Sequence, residues 1–163
     1  MKNASGFTII ELLLYTAISA AMIASISIIL STLLEIRVKN QSIVEVEQQG
    51  QIIMIDLTRA VRNADTVNGL PAATTGTTLS ITENGNTSVY SLENGRLVVS
   101  VNGSDNTPLS GSKIEISNLV FSNFGRPGTK GLFRIEYTVS RSNPLAGAGP
   151  ALSRTFFGSA APY

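Results

Sequence analysis

The feature that most constrains this chain is an apolar run from Phe7 to Leu34, 28 positions carrying one side chain charged at neutral pH, Glu11. A helix needs about 20 such residues to cross the hydrocarbon of a bilayer. The run is also too long for the core of an ordinary secretory signal, which spans about 7–15 residues and is cut after its apolar part. The order here is the reverse. Lys2 and the small residues Ala4, Ser5 and Gly6 come first, and the apolar run follows them. Cleavage ahead of the run would keep it in the mature protein, and Gly6 suits a protease that needs a tiny residue at the cut.

No Pro interrupts residues 7–64, and the one Gly after position 6 in that stretch is Gly50. Ile36, Ile43, Val46, Ile53, Leu57, Ala60 and Ala64 fall on a seven-residue a/d pattern with Gly50 at an a position, while most charges lie off the stripe. These observations predict one helix from Phe7 to Ala64, on the order of 85 Å long. Its first half is apolar all round and its second half amphipathic.

Past Asn68-Gly69-Leu70-Pro71 the period shortens to alternation. Runs at Thr78–Thr82, Thr87–Leu92 and Arg96–Val101 are separated by Asn84-Gly85 and Asn94-Gly95, the dipeptide favoured where a hairpin turn needs positive φ twice. Ile114–Phe121, Leu132–Ser140 and Ser153–Phe157 predict further strands, and residues 126–131 and 143–150 predict exposed loops. The expected class is α+β, a long N-terminal helix whose amphipathic half packs on an antiparallel sheet. The expected segments are a leader (1–6), a membrane or filament-core helix (7–34), its amphipathic continuation (35–68) and a β-rich head (69–163).

Composition narrows the chemistry. The chain has 12 basic and 11 acidic side chains, so no strong field selects nucleic acid or acidic substrates. It has no Cys and no His, which removes disulfides, thiolate chemistry, the commonest metal ligand and the commonest general base. No serine has a His or a paired Lys motif to activate it, and Asp105-Asn106 offers too few carboxylates for calcium. No catalytic constellation and no cofactor site is expected; the reading is a non-enzyme.

Glu11 is the most informative residue. A carboxylate at the centre of a membrane helix costs about 2.5–3.5 kcal/mol on insertion scales, and such groups usually have a functional partner. Cleavage after Gly6 would create a free amine on Phe7, a cation four residues away, available to Glu11 of the same or a neighbouring chain. Ala17, Ala20, Ala21 and Ala24 recur at three- and four-residue spacings, as on helices that pack closely in lipid. Arg126, Lys130 and Arg134 cluster around a Pro-Gly loop, a candidate contact for DNA phosphates or another ligand.

The stretch Gly6-Phe7-Thr8-Ile9-Ile10-Glu11-Leu12-Leu13 resembles the class III signal of type IV pilins and type II secretion pseudopilins. That resemblance implies cleavage between Gly6 and Phe7 by a prepilin peptidase, N-methylation of Phe7, and pairing of Glu11 with a neighbouring subunit's terminal amine. It implies a membrane assembly platform, lipid and other pilin or pseudopilin subunits as partners. It also implies a single-pass cytoplasmic-membrane protein, with its head outside the cytoplasm, that joins a filament. Residues 48–64, the Tyr90–Val101 hairpin and Leu119-Val120-Phe121 are similar, more loosely, to minor subunits of the J-type and competence kinds. Ala20 and Ile28 stand where major pilins often have a helix-breaking Pro or Gly, and the Cys pair of many pilins is missing. Retention of Glu11 argues against a tip subunit lacking that acid. The alternative reading is a membrane-anchored module that recognises DNA or a surface ligand through its head loops.

Overall fold

The computed structural model describes residues 8–141 and 152–163. The chain divides into two compact units, residues 1–40 and 41–163. The predicted leader with Gly6 and Phe7, and the predicted loop at 143–150, lie outside the described residues.

One α-helix, α1 (Ile9–Asn63), supplies all of the described helix. Thr8 opens it: its hydroxyl oxygen accepts the Glu11 amide N–H at 3.4 Å, and its carbonyl accepts the Leu12 N–H at 3.2 Å. Thr8-x-x-Glu11 is the spacing of a capping box, so the cap satisfies an amide that an unpaired helix start would leave open. Glu11 in the first turn and Arg62 in the last match the helix dipole. The helix closes at Asn63, one residue short of the predicted Ala64, and Thr66–Asn68, counted in the expected helical segment 35–68, is a strand.

In the first unit the large apolar side chains from Ile9 to Leu34 are exposed. The stretch is long and apolar enough to cross a membrane. Its hydroxyls turn inward on their own backbone: Ser25, Ser27, Ser31 and Thr32 each donate to the carbonyl four residues back at 2.9–3.0 Å. A polar group so satisfied is tolerated where no water is available.

In the second unit the helical residues Ser42, Val46, Gly50, Ile53, Leu57 and Val61 are buried. Successive spacings of three or four keep them on one face at 3.6 residues per turn. The expected seven-residue stripe is corrected at three points: Ile36 and Ile43 are exposed, Ala60 is half-buried, and Val61 takes the core place.

Among the described residues nine strands follow: β1 (Thr66–Asn68), β2 (Thr75–Gly76), β3 (Leu79–Glu83), β4 (Asn86–Glu93), β5 (Arg96–Val101), β6 (Thr107–Pro108), β7 (Glu115–Asn123), β8 (Phe133–Arg141) and β9 (Leu152–Ala160). All pair antiparallel. They form two sheets, in the orders β1-β3-β4-β5-β6 and β2-β7-β8-β9, where one sheet was expected. The first sheet ends at β6, two residues long, which pairs with β5, whereas β7 pairs with β8 on one side and with β2 on the other.

The Asn-Gly turns form as expected. Asn84 and Gly85 have φ of 49° and 79°, and Asn94 and Gly95 have 48° and 72°. In β7 the register with β8 shifts between Ser117 and Val120, and Asn118 has φ of 53°. This bulge lets Ile116, Leu119 and Phe121 all face inward despite their uneven spacing. The core joins the helical face to Leu79, Ile81, Leu97, Phe121, Phe133, Ile135, Tyr137 and Val139.

Helix and second sheet interlock through two glycines. A Cβ on Gly50 would lie under 3.0 Å from the Phe156 ring, and one on Gly158 would do the same to Met54. The Tyr137 hydroxyl donates to the Gly50 carbonyl at 2.6 Å, and its ring stacks on Phe156 with centroids 5.8 Å apart.

Candidate functional site

Two regions carry the residues singled out in the sequence. The first is the start of α1. Glu11 sits in the first turn, half-buried, and no cationic side chain pairs with it among the described residues. Its backbone belongs to the Thr8 cap, so Glu11 has a local structural task as well as a carboxylate that no described cation pairs with. Ala17, Ala20, Ala21 and Ala24 are exposed. Ala21 and Ser25 lie low between Ile18, Met22 and Ile26, leaving a shallow groove on the helix surface.

The second region is the loop between β7 and β8. Its neck is narrow: the Phe124 N–H donates to the Leu132 carbonyl at 2.7 Å, and a Cβ on Gly125 would collide with the Gly131 backbone. Buried Asn123 holds it from beneath, its Oδ1 accepting the Gly125 N–H at 2.8 Å and its Nδ2 donating to the Leu70 carbonyl at 2.9 Å. At the tip, the Thr129 N–H and hydroxyl both donate to the Arg126 carbonyl, at 3.1 and 2.8 Å.

The expected basic cluster is only partly assembled. Arg126 and Lys130 are exposed on the loop. Arg134 lies on β8, where its guanidinium pairs with Glu136 at 3.4 Å and covers the Phe157 ring at 5.2 Å. Of the three, Arg134 therefore stands on the strand beside an acidic neighbour, while Arg126 and Lys130 stand on the loop.

Sequence reasoning missed the ion pairs that fasten the helix to the sheets. Glu45 pairs with Arg141 and, at 3.8 Å, with Lys113; Glu47 pairs with Arg154, whose guanidinium covers the Phe156 ring at 5.8 Å. No local pattern announces partners so far apart along the chain. Burial pushes the Tyr137 phenol well above its ordinary value, and burial, then Asp56 and Glu83, raise Tyr90. Among the described residues no three acidic side chains converge to hold a metal.

No protein-family model, curated protein or solved structure matches the chain.

Proposed function

We propose that the chain is a structural subunit of a type IV pilus-like or type II secretion pseudopilus filament, a minor pilin or pseudopilin. One observation carries the reading: a 55-residue helix whose Ile9–Leu34 stretch exposes a continuous apolar surface with Glu11 as its single Asp, Glu, Lys or Arg. That surface requires an apolar surround. Lipid supplies it before assembly, with the head outside the cytoplasm, and neighbouring subunits supply it afterwards.

Because lipid is as apolar as the helix, transfer into a filament gains little from hydrophobicity. Close packing at the Ala21–Ser25 groove and an ion pair at Glu11 supply the drive instead. After cleavage between Gly6 and Phe7 by a prepilin peptidase, the new Phe7 amine, methylated or not, is the cation that a neighbour's Glu11 would meet. Pairing two charges in a dry interface is worthwhile only with a fixed partner, so it also sets axial register. The cap made by Thr8 uses the Glu11 backbone and leaves the carboxylate available for this contact.

The test is incorporation of Glu11→Ala into filaments sheared from cells. The proposal expects normal cleavage and membrane insertion with incorporation lost. Unchanged incorporation sinks the pairing.

A further inference from the structure

A cleft of about 320 Å³ lies between the start of β1 and the tip of the β7–β8 loop, lined by Asp65, Thr66, Val67, Gly128, Thr129, Lys130 and Pro162. We infer that it binds a neutral, polyhydroxylated ligand, a sugar residue of a glycan. The inference concerns the globular unit alone and stands whether or not the chain assembles into filaments.

The volume is at the lower end of the roughly 300–1,000 Å³ typical of ligand sites. Both walls are fixed in advance. On one side the Asp65 N–H donates to the Thr82 carbonyl at 2.8 Å, and Asp65 Oδ2 accepts the Asn84 N–H at 2.8 Å. On the other, the Arg126–Thr129 turn and the Phe124–Leu132 hydrogen bond fix the backbone of the loop that carries Thr129 and Lys130. A site built this way loses little entropy when it is filled.

Charge selects the ligand. The lining carries one carboxylate and one ammonium, and Lys130 makes no ion pair with Asp65 or any other described residue. A phosphate approaching Lys130 would meet the Asp65 carboxylate, and an ammonium ligand approaching Asp65 would meet Lys130. A hydroxyl-rich neutral molecule satisfies both, donating to the carboxylate and accepting from the ammonium, with the Thr66 hydroxyl able to do either. Val67 and Pro162 give the apolar surface that the C–H face of a sugar ring needs. The Tyr163 N–H donates to the Arg62 carbonyl at 3.2 Å, which ties down the backbone next to Pro162. The cleft formed by Glu45, Gln49, Gly111, Ser112, Lys113 and Ile114 is the contrast: there Glu45 is already paired with Lys113 and Arg141, so its charges are spent within the protein.

The experiment follows ¹⁵N amide shifts of the full chain in a zwitterionic detergent that contains no sugar. Maltotriose, cellotriose and chitotriose are added to about 10 mM, enough to saturate a weak Kd of about 1 mM. Saturable shifts at Gly128, Thr129 and Lys130 with at least one trisaccharide are expected. Affinity should fall about tenfold or more in Lys130→Met and in Asp65→Asn, each of which loses a charged hydrogen bond. Asp65→Asn keeps an oxygen for the Asn84 N–H, so its spectrum should otherwise match the parent. Three results would each overturn the inference: no shift with any trisaccharide, shifts that survive both variants, or tighter binding of dodecathymidylate that Lys130→Met abolishes.

Discussion

Replacing Gly50 by Ala isolates the lock between helix and sheet, because two effects of known sign oppose each other. In a helix interior Ala is favoured over Gly by about 0.8–1.0 kcal/mol. At this position the added methyl would sit under 3.0 Å from the Phe156 ring, itself stacked on Tyr137, whose hydroxyl is bonded to the Gly50 carbonyl. Forcing a methyl into such a contact costs about 1–3 kcal/mol. Any ring shift that lengthens the Tyr137 bond adds about 1 kcal/mol. The net expectation is destabilisation by about 1–2 kcal/mol. In a Phe156→Leu background the obstruction is smaller, and Gly50→Ala should become neutral or stabilising by up to about 1 kcal/mol. Urea unfolding followed by tyrosine fluorescence suits a chain with four Tyr and no Trp. Stabilisation by Gly50→Ala of equal size in both backgrounds would refute the steric account.

Three further outcomes are expected. Asn123→Leu strands the Leu70 carbonyl and the Gly125 N–H in a buried place and should destabilise the protein by about 2–3 kcal/mol in the same unfolding assay. For Tyr137 and Tyr90 the folded pKa lies above the unfolded value near 10, so the folded state holds more protons above that pH and stability should fall as pH rises past about 10; Tyr137→Phe should flatten that alkaline slope, read as the urea midpoint against pH. Glu45→Gln removes the charge facing Arg141 and Lys113; because both cations stay partly solvated, the loss should be no more than about 1 kcal/mol and should shrink with added salt.

Local signals in the sequence carried much of this fold. The long helix was legible because nothing before Asn63 other than Gly50 weakens it, and the β3–β4 and β4–β5 turns because Asn-Gly names its own backbone geometry. Three features were out of reach for physical reasons. The seven-residue stripe was the wrong template: a lone helix on a sheet buries residues at 3.6 per turn, so Val61 enters the core while Ile43 stays exposed. The division into two sheets depends on β2 and β6, each two residues long and too short to show a period. The ion pairs at Glu45 and Glu47 depend on strands brought in from far along the chain. For the candidate sites, the environment of Glu11 was readable from hydropathy alone. The pairing of Arg134 with Glu136 was not foreseen, although the two stand two apart on one strand face, the spacing that sets neighbours side by side. The cleft at Asp65 and Lys130 joins distant segments and left no mark in either.

The filament reading rests on the apolar helix remaining in the mature protein, with a new amine placed just ahead of Glu11. Intact mass and N-terminal sequencing of the chain recovered from its native membranes test this most directly. The account predicts a polypeptide that begins at Phe7, with or without one added methyl group. A chain that still carries Met1–Gly6, or one cut after Leu34, would contradict it.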